Sequence, residues 1–338
     1  MLEASCHAVL AAYPDDCRPQ VLEDLGGGGG FSGARLWRVH ARRGMLCLRR
    51  WPPEHPGTER LEFIQAVLWH VTQEGFRLVP LPYETRKHKG YVVHGEHLWE
   101  LSPWMEGRAD YREKPNRARI EAALQALAKF HIAAASFPLP QANPALIPAV
   151  RLRMEAIAYW TPARLEQVRQ AVADYHGPYP KSCCQEILRI YRASAETLRT
   201  QLAPLVDMRL NLQPCIRDIW DEHVFFDGDE VSGIVDFGSM NVDQVATDVA
   251  RLLGSLAAND ADAWEAGLRA YSCWRTLSSD ERRLAKALHQ VSSVLAGMSW
   301  LKWLFVEGRQ FENPAAVSAR IELIHSRMAV FGRPGIGQ

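Results

Sequence analysis

The sequence has no net charge and no long hydrophobic run. Its 39 basic and 39 acidic residues balance, so no overall field attracts the chain to nucleic acid or to an anionic membrane. None of its apolar stretches approaches the roughly 18 residues that a membrane-spanning helix needs. Residues 1–16 include acidic side chains and no extended apolar core, which is atypical of a secretory signal. We therefore predict a cytoplasmic protein with no nucleic-acid partner and no membrane partner.

Cysteines are few, and none are paired at a metal-binding spacing. The seven cysteines are scattered, only Cys183 and Cys184 are adjacent, and no C-x-x-C motif occurs. This usage is typical of a reducing compartment and gives no zinc site.

The rest of the composition is that of an ordinary globular protein. Hydrophobic residues make up 47% and charged residues 23% of the 338 residues. A chain of this length can form two lobes, each with its own core.

Two aspartates flank a predicted β-hairpin in the stretch 213–238, which reads QPCIRDIWDEHVFFDGDEVSGIVDFG. Two β-rich runs, 224–226 and 231–235, surround an Asp-Gly turn signal. Such a hairpin brings the loop before its first strand close to the loop after its second. We therefore expect Asp218 and Asp236 to meet at one end, with His223 on the same side. The alternative is a surface hairpin whose aspartates only form turns.

This stretch resembles the catalytic loop and the metal-binding motif of protein kinases and of their small-molecule relatives. Ile216-Arg217-Asp218 stands at the H-R-D or H-G-D triplet, His223 at the following Asn, and Asp236 begins a D-F-G motif. Its position thirteen residues after His223 matches the aminoglycoside phosphotransferase and choline kinase-like superfamily. Within that group the chain is most similar to the homoserine kinase and spore-coat-protein branch. Ile216 and His223 depart from the usual His and Asn.

The resemblance implies an α+β, bilobal protein-kinase-like fold. Residues 1–105 would form a small N-lobe with an antiparallel five-stranded sheet. Residues 106–338 would form a mostly helical C-lobe with the catalytic loop, the metal motif and the substrate pocket. The β-rich stretches that supply the strands and the hinge are 21–25, 36–39, 45–49, 76–80, 91–94 and 98–104. Hydrophobic spacing predicts helices over 3–13, 58–73, 116–135, 150–174, 185–204, 245–256, 284–305 and 314–331.

A run of glycines lies between the first two predicted strands. Glycines let the backbone approach phosphate oxygens and offer unobstructed N–H donors. We predict a nucleotide-covering loop with the contact residues Gly29, Gly30, Phe31, Ser32 and Gly33. The alternative is a flexible linker, which glycines alone would favour.

The strand after this loop carries a lysine in kinases, and this chain has arginine there. Alternation with Cys47 favours Arg49, and a register shift of one would favour Arg50. Arginine keeps the charge without being interchangeable with lysine. Glu62 is the helix residue expected to turn toward Arg49. The backbone from Glu100 to Ser102 is the expected hinge against the adenine.

The resemblance implies a phosphotransferase that uses ATP and Mg²⁺ on a small-molecule hydroxyl substrate. Asp218 would orient the hydroxyl as the base, and Arg217 would assist with charge. Asp236 would hold Mg²⁺, and His223 would replace the ligand of a second ion, although nitrogen suits softer metals. Asp248 would steady the catalytic loop by accepting hydrogen bonds.

A degenerate kinase fold is the alternative function. Such a protein would bind nucleotide or a partner without phosphotransfer, and Ile216, His223 and Arg49 motivate it. A protein kinase would need an A-P-E motif some twenty or more residues after Asp236, and the sequence has none.

Overall fold

The computed structural model describes residues 2–27, 30–140 and 143–332. The chain divides into two compact units: unit 1 is Met1–Phe137 with Asp221–Asn241, and unit 2 is Pro138–Trp220 with Val242–Gln338. The predicted lobe boundary between residues 105 and 106 stays a prediction. Over the described ranges, no helix has both the length and the apolar character needed to cross a membrane.

Ten α-helices occur in the described residues. Their bounds are α1 (Leu2–Leu10), α2 (Thr58–Gln73), α3 (Arg117–Ala134), α4 (Pro148–Tyr159), α5 (Pro162–Ala173), α6 (Lys181–Leu202), α7 (Ala246–Leu256), α8 (Ala261–Ser272), α9 (Ser279–Phe305) and α10 (Pro314–Met328). The predicted helix over 150–174 is two helices. Pro162 cannot continue a helix but suits the first turn of a new one, where the Thr161 hydroxyl accepts from the Arg164 N–H. The sequence analysis did not predict α8.

Eleven strands occur in the same residues. Their bounds are β1 (Pro19–Asp24), β2 (Arg35–Ala41), β3 (Gly44–Arg50), β4 (Val92–His94), β5 (His97–Pro103), β6 (Ala145–Leu146), β7 (Arg209–Leu210), β8 (Gln213–Cys215), β9 (Val224–Asp227), β10 (Glu230–Ile234) and β11 (Asn241–Asp243). The predicted five-stranded antiparallel sheet is confirmed, in the order β1-β2-β3-β5-β4.

The stretch 76–80 is not a strand, and that prediction was wrong. Pro80 lacks the N–H that a sheet ladder needs and restricts the residue before it. The Leu78 carbonyl instead accepts a hydrogen bond from the Ile234 N–H at 2.8 Å.

The two faces of the sheet differ in chemistry because side chains alternate along each strand. One face packs with α1 and carries the buried side chains of Trp37, Val39, Leu46, Leu48, Trp99 and Leu101. The other face carries Leu36, Cys47, Arg49, Glu100 and Ser102. Arg50 belongs to the first face, with its guanidinium carbon 5.9 Å from the centre of the Trp99 ring. Alternation thus decides the choice between the two arginines in favour of Arg49.

The predicted hairpin is confirmed as β9 and β10, with a bulge between Val231 and Gly233. Arg119 of α3 holds its turn. The guanidinium donates to the Gly228 carbonyl at 2.6 Å and to the Asp110 carboxylate at 2.8 Å. Arg119 is buried, and a buried guanidinium needs such partners to offset its lost hydration.

Unit 2 is built around α9, which has 27 residues and is therefore roughly 40 Å long. Ser278 and Glu281 close its N-terminus as a capping box. The predicted apolar stripe is confirmed, and its buried members are Leu284, Leu288, Val291, Leu295, Met298 and Leu301. Because the stripe is buried, α9 packs against α6, α7 and α10.

Candidate active site

A pocket opens within unit 1. Its walls are mostly apolar and include Leu36, Ile64, Leu68, Pro80, Trp104, Met105, Phe225, Val235 and Phe237. Its polar side chains include Arg49, Glu100, Ser102 and Asp236. An apolar slot with a few convergent polar groups is typical of small-molecule and cofactor sites.

Arg49 and Asp236 form the charged end of this pocket. Arg49 Nη1 donates to Asp236 Oδ1 at 3.3 Å, and the guanidinium carbon lies 4.5 Å from the centre of the Trp51 ring. His223 Nε2 lies 3.6 Å from Asp236 Oδ2. Burial alone would lower the pKa of Arg49, but nearby negative charge, mainly that of Asp236, raises it. The guanidinium therefore stays charged in the pocket.

The backbone at Asp236 has an uncommon conformation. Its φ of 65° lies in the left-handed region, which costs a non-glycine residue free energy and is frequent at functional sites. The Val235 N–H donates to the His223 carbonyl at 2.9 Å, which holds the end of the hairpin beside His223. A Cβ at Gly238 would lie 3.1 Å from the Trp51 ring, so glycine permits this close approach.

Glu100 is a second acid in the pocket, and Gln65 holds it. Gln65 Nε2 donates to Glu100 Oε2 at 2.7 Å and to the Gly90 carbonyl at 2.9 Å. Burial raises the pKa of Glu100, while the hydrogen bond from Gln65 and the charge of Arg49 oppose the rise. Arg49 and Glu100 are cross-strand neighbours on β3 and β5. The acidic residue of the N-terminal region that neighbours Arg49 is therefore Glu100 of the sheet.

Glu62 is not brought to Arg49, contrary to expectation. Its carboxylate accepts hydrogen bonds from Tyr91 Oη at 2.9 Å and Lys89 Nζ at 3.4 Å. These two bonds lower its pKa. The pocket wall from α2 is instead Ile64 and Leu68. At about 100° per residue, Glu62 points some 200° away from Ile64.

Glu100 to Ser102 are not the hinge after the sheet, which corrects a second expectation. They lie inside β5, where Ser102 pairs with Cys47 of β3, and the Leu101 carbonyl accepts from the Tyr83 N–H at 2.8 Å. Glu100 and Ser102 line the pocket from within the strand. Residues 104–105 directly follow the strand and also line the pocket.

The glycine loop is described only in part. Gly28 and Gly29 lie outside the described residues, so the predicted role of Gly29 stays a prediction. Gly33 has a φ of 80°, which favours glycine. The pocket wall on β2 is Leu36. The described loop residues do not line the pocket, and their nucleotide contacts also stay predictions: Gly30, Phe31, Ser32 and Gly33.

Asp248 holds the backbone of the loop that carries Asp218 in unit 2. Its carboxylate oxygens accept the N–H groups of Ile216 at 2.7 Å and Arg217 at 2.6 Å. Asp248 is fully buried, and its expected role is confirmed. Arg217 has a φ of 66°, and its Nε lies 3.4 Å from Asp243 Oδ2. This placement favours anchoring of the loop by Arg217, and its catalytic role stays a prediction.

Trp220 and Arg251 hold Asp218, and neither contact was predicted from the sequence. Trp220 Nε1 donates to Asp218 Oδ1 at 2.7 Å, and Arg251 forms an ion pair with the same oxygen. The Arg251 guanidinium carbon lies 3.8 Å from the centre of the Trp220 ring. Arg251 follows Asp248 by three residues on α7, and residues at that spacing share a helix face. That spacing is the signal that identifies Arg251. The meeting of Asp218 with Asp236 stays a prediction.

The donor set at Asp236 fits a divalent cation. The carboxylate is 42% exposed and lines the pocket. Mg²⁺ in kinase-like sites uses one or two carboxylates and completes its shell with water and phosphate oxygens. The His223 imidazole beside Asp236 is a poorer ligand for Mg²⁺ than for softer ions. The metal roles of Asp236 and His223 remain predictions.

Comparisons with known proteins identify the family of this chain. Residues 26–314 match the model of the APH family, described as the phosphotransferase enzyme family. A homoserine kinase of Bradyrhizobium diazoefficiens is 27% identical over 226 residues, which are 64% of this chain and 58% of that protein. The chain therefore spans less than two thirds of that relative. The predicted superfamily is confirmed, and the homoserine kinase and spore-coat-protein branch stays a prediction.

Two solved structures share the fold at low sequence identity. A microcompartment-associated aminopropanol kinase is 13% identical, with a TM-score of 0.66 over 98% of this chain and 96% of that one. The amicoumacin kinase hAmiN, in complex with AMP-PNP, Ca²⁺ and Ami, is 12% identical, with a TM-score of 0.64 over 96% and 93%. The predicted α+β protein-kinase-like fold is confirmed.

Proposed function

We propose that this chain, which belongs to the phosphotransferase enzyme family, transfers the γ-phosphate of ATP to a hydroxyl of a small metabolite. The observation that carries the proposal is the Arg49–Asp236 pair at the charged end of an apolar pocket. Apolar walls suit a nucleobase, and paired opposite charges suit phosphates and their counterion. Relatives named homoserine kinase and a neighbour solved with AMP-PNP and Ca²⁺ support this choice.

In the proposed site, Arg49 neutralises phosphate oxygens and Asp236 is the metal ligand, with His223 beside it. A bound Mg²⁺ would supply electrostatic neutralisation of the phosphates. The apolar walls exclude water from the transferred group, which strengthens each charge interaction inside the pocket. The glycine loop, including Gly29, Gly30, Phe31, Ser32 and Gly33, would cover the nucleotide. Glu100 and Ser102 would contact it from the sheet.

Asp218 is the proposed base. Phosphoryl transfer asks the protein mainly for positioning and charge stabilisation, so Asp218 accepts a hydrogen bond from the acceptor hydroxyl and orients it. Trp220 and Arg251 occupy Oδ1. Arg217 supports the loop.

We further propose that residues 1–105 act as the nucleotide lobe and 106–338 as the acceptor lobe. Residues 221–241 add Phe225 and Asp236 to the nucleotide pocket. We place the reaction in the cytoplasm, where ATP is supplied and unpaired cysteines remain reduced.

Two measurements test the function. Mg²⁺ and ATP together should raise the melting temperature of the protein, and Asp236→Ala should remove the metal-dependent part of that rise. An ADP-coupled screen of hydroxylated metabolites should find transfer that Asp218→Ala abolishes. Stabilisation by ATP with no transfer to any hydroxyl compound would favour the degenerate kinase fold. No stabilisation by any nucleotide would contradict both functions.

A further inference from the structure

A second pocket lies within unit 2 and is rich in arginine. Its wall comes from α4, α7, α9, α10 and Trp220. The arginines are Arg153, Arg251 and Arg327, and hydroxyl groups come from Thr247, Ser292 and Ser293. Within the described ranges, none of the lining residues is acidic. We call this cavity the arginine pocket.

Two residues of the arginine pocket contact the proposed base, Asp218. Arg251 lines it and forms the ion pair with Asp218 Oδ1. Trp220 also lines it and donates to the same oxygen at 2.7 Å. The side chains of Arg251 and Trp220 therefore connect the wall of this pocket to Asp218.

The three arginines of the pocket have hydrogen-bond partners of different kinds. Asp218 offsets Arg251, but Arg153 donates to neutral acceptors, the Ser292 hydroxyl at 2.9 Å and the Ala149 carbonyl at 3.1 Å. Arg327 donates to another carbonyl, that of Ser255, at 3.1 Å. Guanidinium groups are the side chains best matched to carboxylate and phosphate oxygens.

Burial and nearby charges change the pKa of Arg153. Burial, with the charges of Arg251 and Arg217 added and that of Asp243 opposing, lowers the pKa of Arg153 to about 10. Asp243 is the strongest of the charges that act on Arg153, and burial raises the pKa of Asp243 itself. Like charges held close in a pocket repel, and a bound anion relieves that repulsion.

Two polar atoms in the pocket are buried and make no hydrogen bond. Thr247 Oγ1 is buried without a hydrogen-bond partner, and so is Arg251 Nε. Thr247 is only 2% exposed. Buried polar atoms without partners are uncommon in native proteins and point to an absent ligand or water.

We propose that the arginine pocket binds an oxyanion on the phosphate acceptor, so that the acceptor is a hydroxylated metabolite bearing a carboxylate or a phosphate group. This inference rests on the proposed function, since it concerns the acceptor of that reaction. Arg153 and Arg327 hold the anionic group, and Asp218 receives the hydroxyl. Amino alcohols and polyamine sugars, which carry only positive charge, are disfavoured.

Calorimetry tests the pocket without knowledge of the natural acceptor. The protein is first saturated with AMP-PNP and Mg²⁺, so that the nucleotide pocket is filled. Malonate and inorganic phosphate are then titrated separately, as probes of a carboxylate site and a phosphate site. We expect at least one to bind and Arg153→Gln or Arg327→Gln to weaken it about ten- to hundredfold, the range for one charge-assisted hydrogen bond.

Control variants separate a lost ligand from a lost fold. Arg199→Gln makes the same substitution in unit 2 at an exposed arginine paired with Glu196 and should bind like the parent. Arg153→Lys keeps the charge and should retain part of the binding. Melting temperatures of all variants are compared first.

The outcomes distinguish this inference from the function it rests on. If AMP-PNP and Mg²⁺ bind but neither anion does, or if both arginine variants bind like the parent, the inference is overturned while the kinase function stands. A screen in which only neutral or cationic hydroxyl compounds are phosphorylated would also overturn it. If AMP-PNP does not bind, the proposed function fails, and the anion titration alone still decides whether the arginine pocket is an oxyanion site.

Discussion

The two pockets differ in how their charges are balanced. In unit 1, Arg49 faces Asp236, and Gln65 holds Glu100, so each charged group has a partner of this chain. In unit 2, three arginines line a cavity without an acidic wall residue among the described positions, and Asp218 offsets one of them. The first pocket suits a ligand that brings both an anion and a cation, such as a metal nucleotide. The second suits a ligand that brings net negative charge.

The largest effect is expected at the proposed base. Asp218→Asn should lower kcat for phosphotransfer by about 10²- to 10⁴-fold, the usual contribution of a positioned acid–base group, while AMP-PNP affinity stays within about twofold of the parent. Steady-state kinetics and calorimetry on the same preparations measure both. Asp207→Asn, an exposed aspartate of unit 2, is the matched control and should change neither. A variant of Asp218 with near-parental kcat would remove that residue from the chemistry.

A smaller effect is expected at the proposed metal ligand. Asp236→Asn should weaken AMP-PNP binding in Mg²⁺ by at least about 100-fold, because loss of a direct ligand exceeds the 10- to 100-fold typical of outer-sphere changes. Binding measured with EDTA should differ much less from the parent. Asp227→Asn, at an exposed position of the same hairpin, serves as the control. Equal losses with and without Mg²⁺ would contradict a metal role.

The neighbouring residues Arg49 and Arg50 on β3 can be compared directly. Arg49→Gln should weaken AMP-PNP binding about ten- to hundredfold, since a charge-assisted contact to phosphate is removed. Arg50→Gln should change it less than about twofold, because Arg50 lies on the opposite face over Trp99. Nucleotide titrations of both variants decide this. A larger loss of affinity in Arg50→Gln than in Arg49→Gln would contradict a phosphate contact from Arg49.

The smallest effect concerns pH and His289, which lines the arginine pocket. Burial, with the charge of Arg327 added, lowers the pKa of His289 to about 4 from its ordinary 6.5. Between these values the unfolded chain binds a proton that the folded chain does not, so stability falls as pH falls. The expected loss from this residue between pH 7 and pH 5 is up to about 2 kcal/mol.

Urea unfolding at both pH values measures that loss. His289→Gln should be less sensitive to this pH change than the parent by that amount. Equal acid sensitivity of the two proteins would show that His289 is not buried in its neutral form.

Local sequence signals determined much of the fold. The hairpin at 224–234, the helix Thr58–Gln73 and the long helix α9 were predictable because each has a strong turn signal or a sustained apolar stripe. The stretch 76–80 has apolar residues typical of a strand, but Pro80 prevents ladder pairing. Helix α8 also has an apolar stripe, with Trp264, Leu268 and Tyr271 at helical spacing, so it was predictable on the same grounds.

The site was less predictable, because its partners are distant in the chain. Alternation on β3 identified Arg49, and the resemblance identified Asp248. The opposing acid Glu100 lies on β5, and the Asp218 partner Arg251 lies on α7. Neither pairing can be predicted from the local sequence. Glu62 lies on the expected helix, but its carboxylate accepts a hydrogen bond from Tyr91. Pairings of this kind depend on tertiary packing.

Phosphorus-31 NMR of a reaction mixture tests the central claim most directly. The protein is mixed with ATP, Mg²⁺ and a pool of hydroxylated metabolites that includes hydroxy acids and sugar phosphates. We predict that the γ-phosphate signal of ATP is replaced by a new phosphate ester signal, and that Asp218→Asn prevents the replacement. ATP that stays intact, or a γ-phosphate released only as inorganic phosphate, would contradict transfer to a small-molecule hydroxyl.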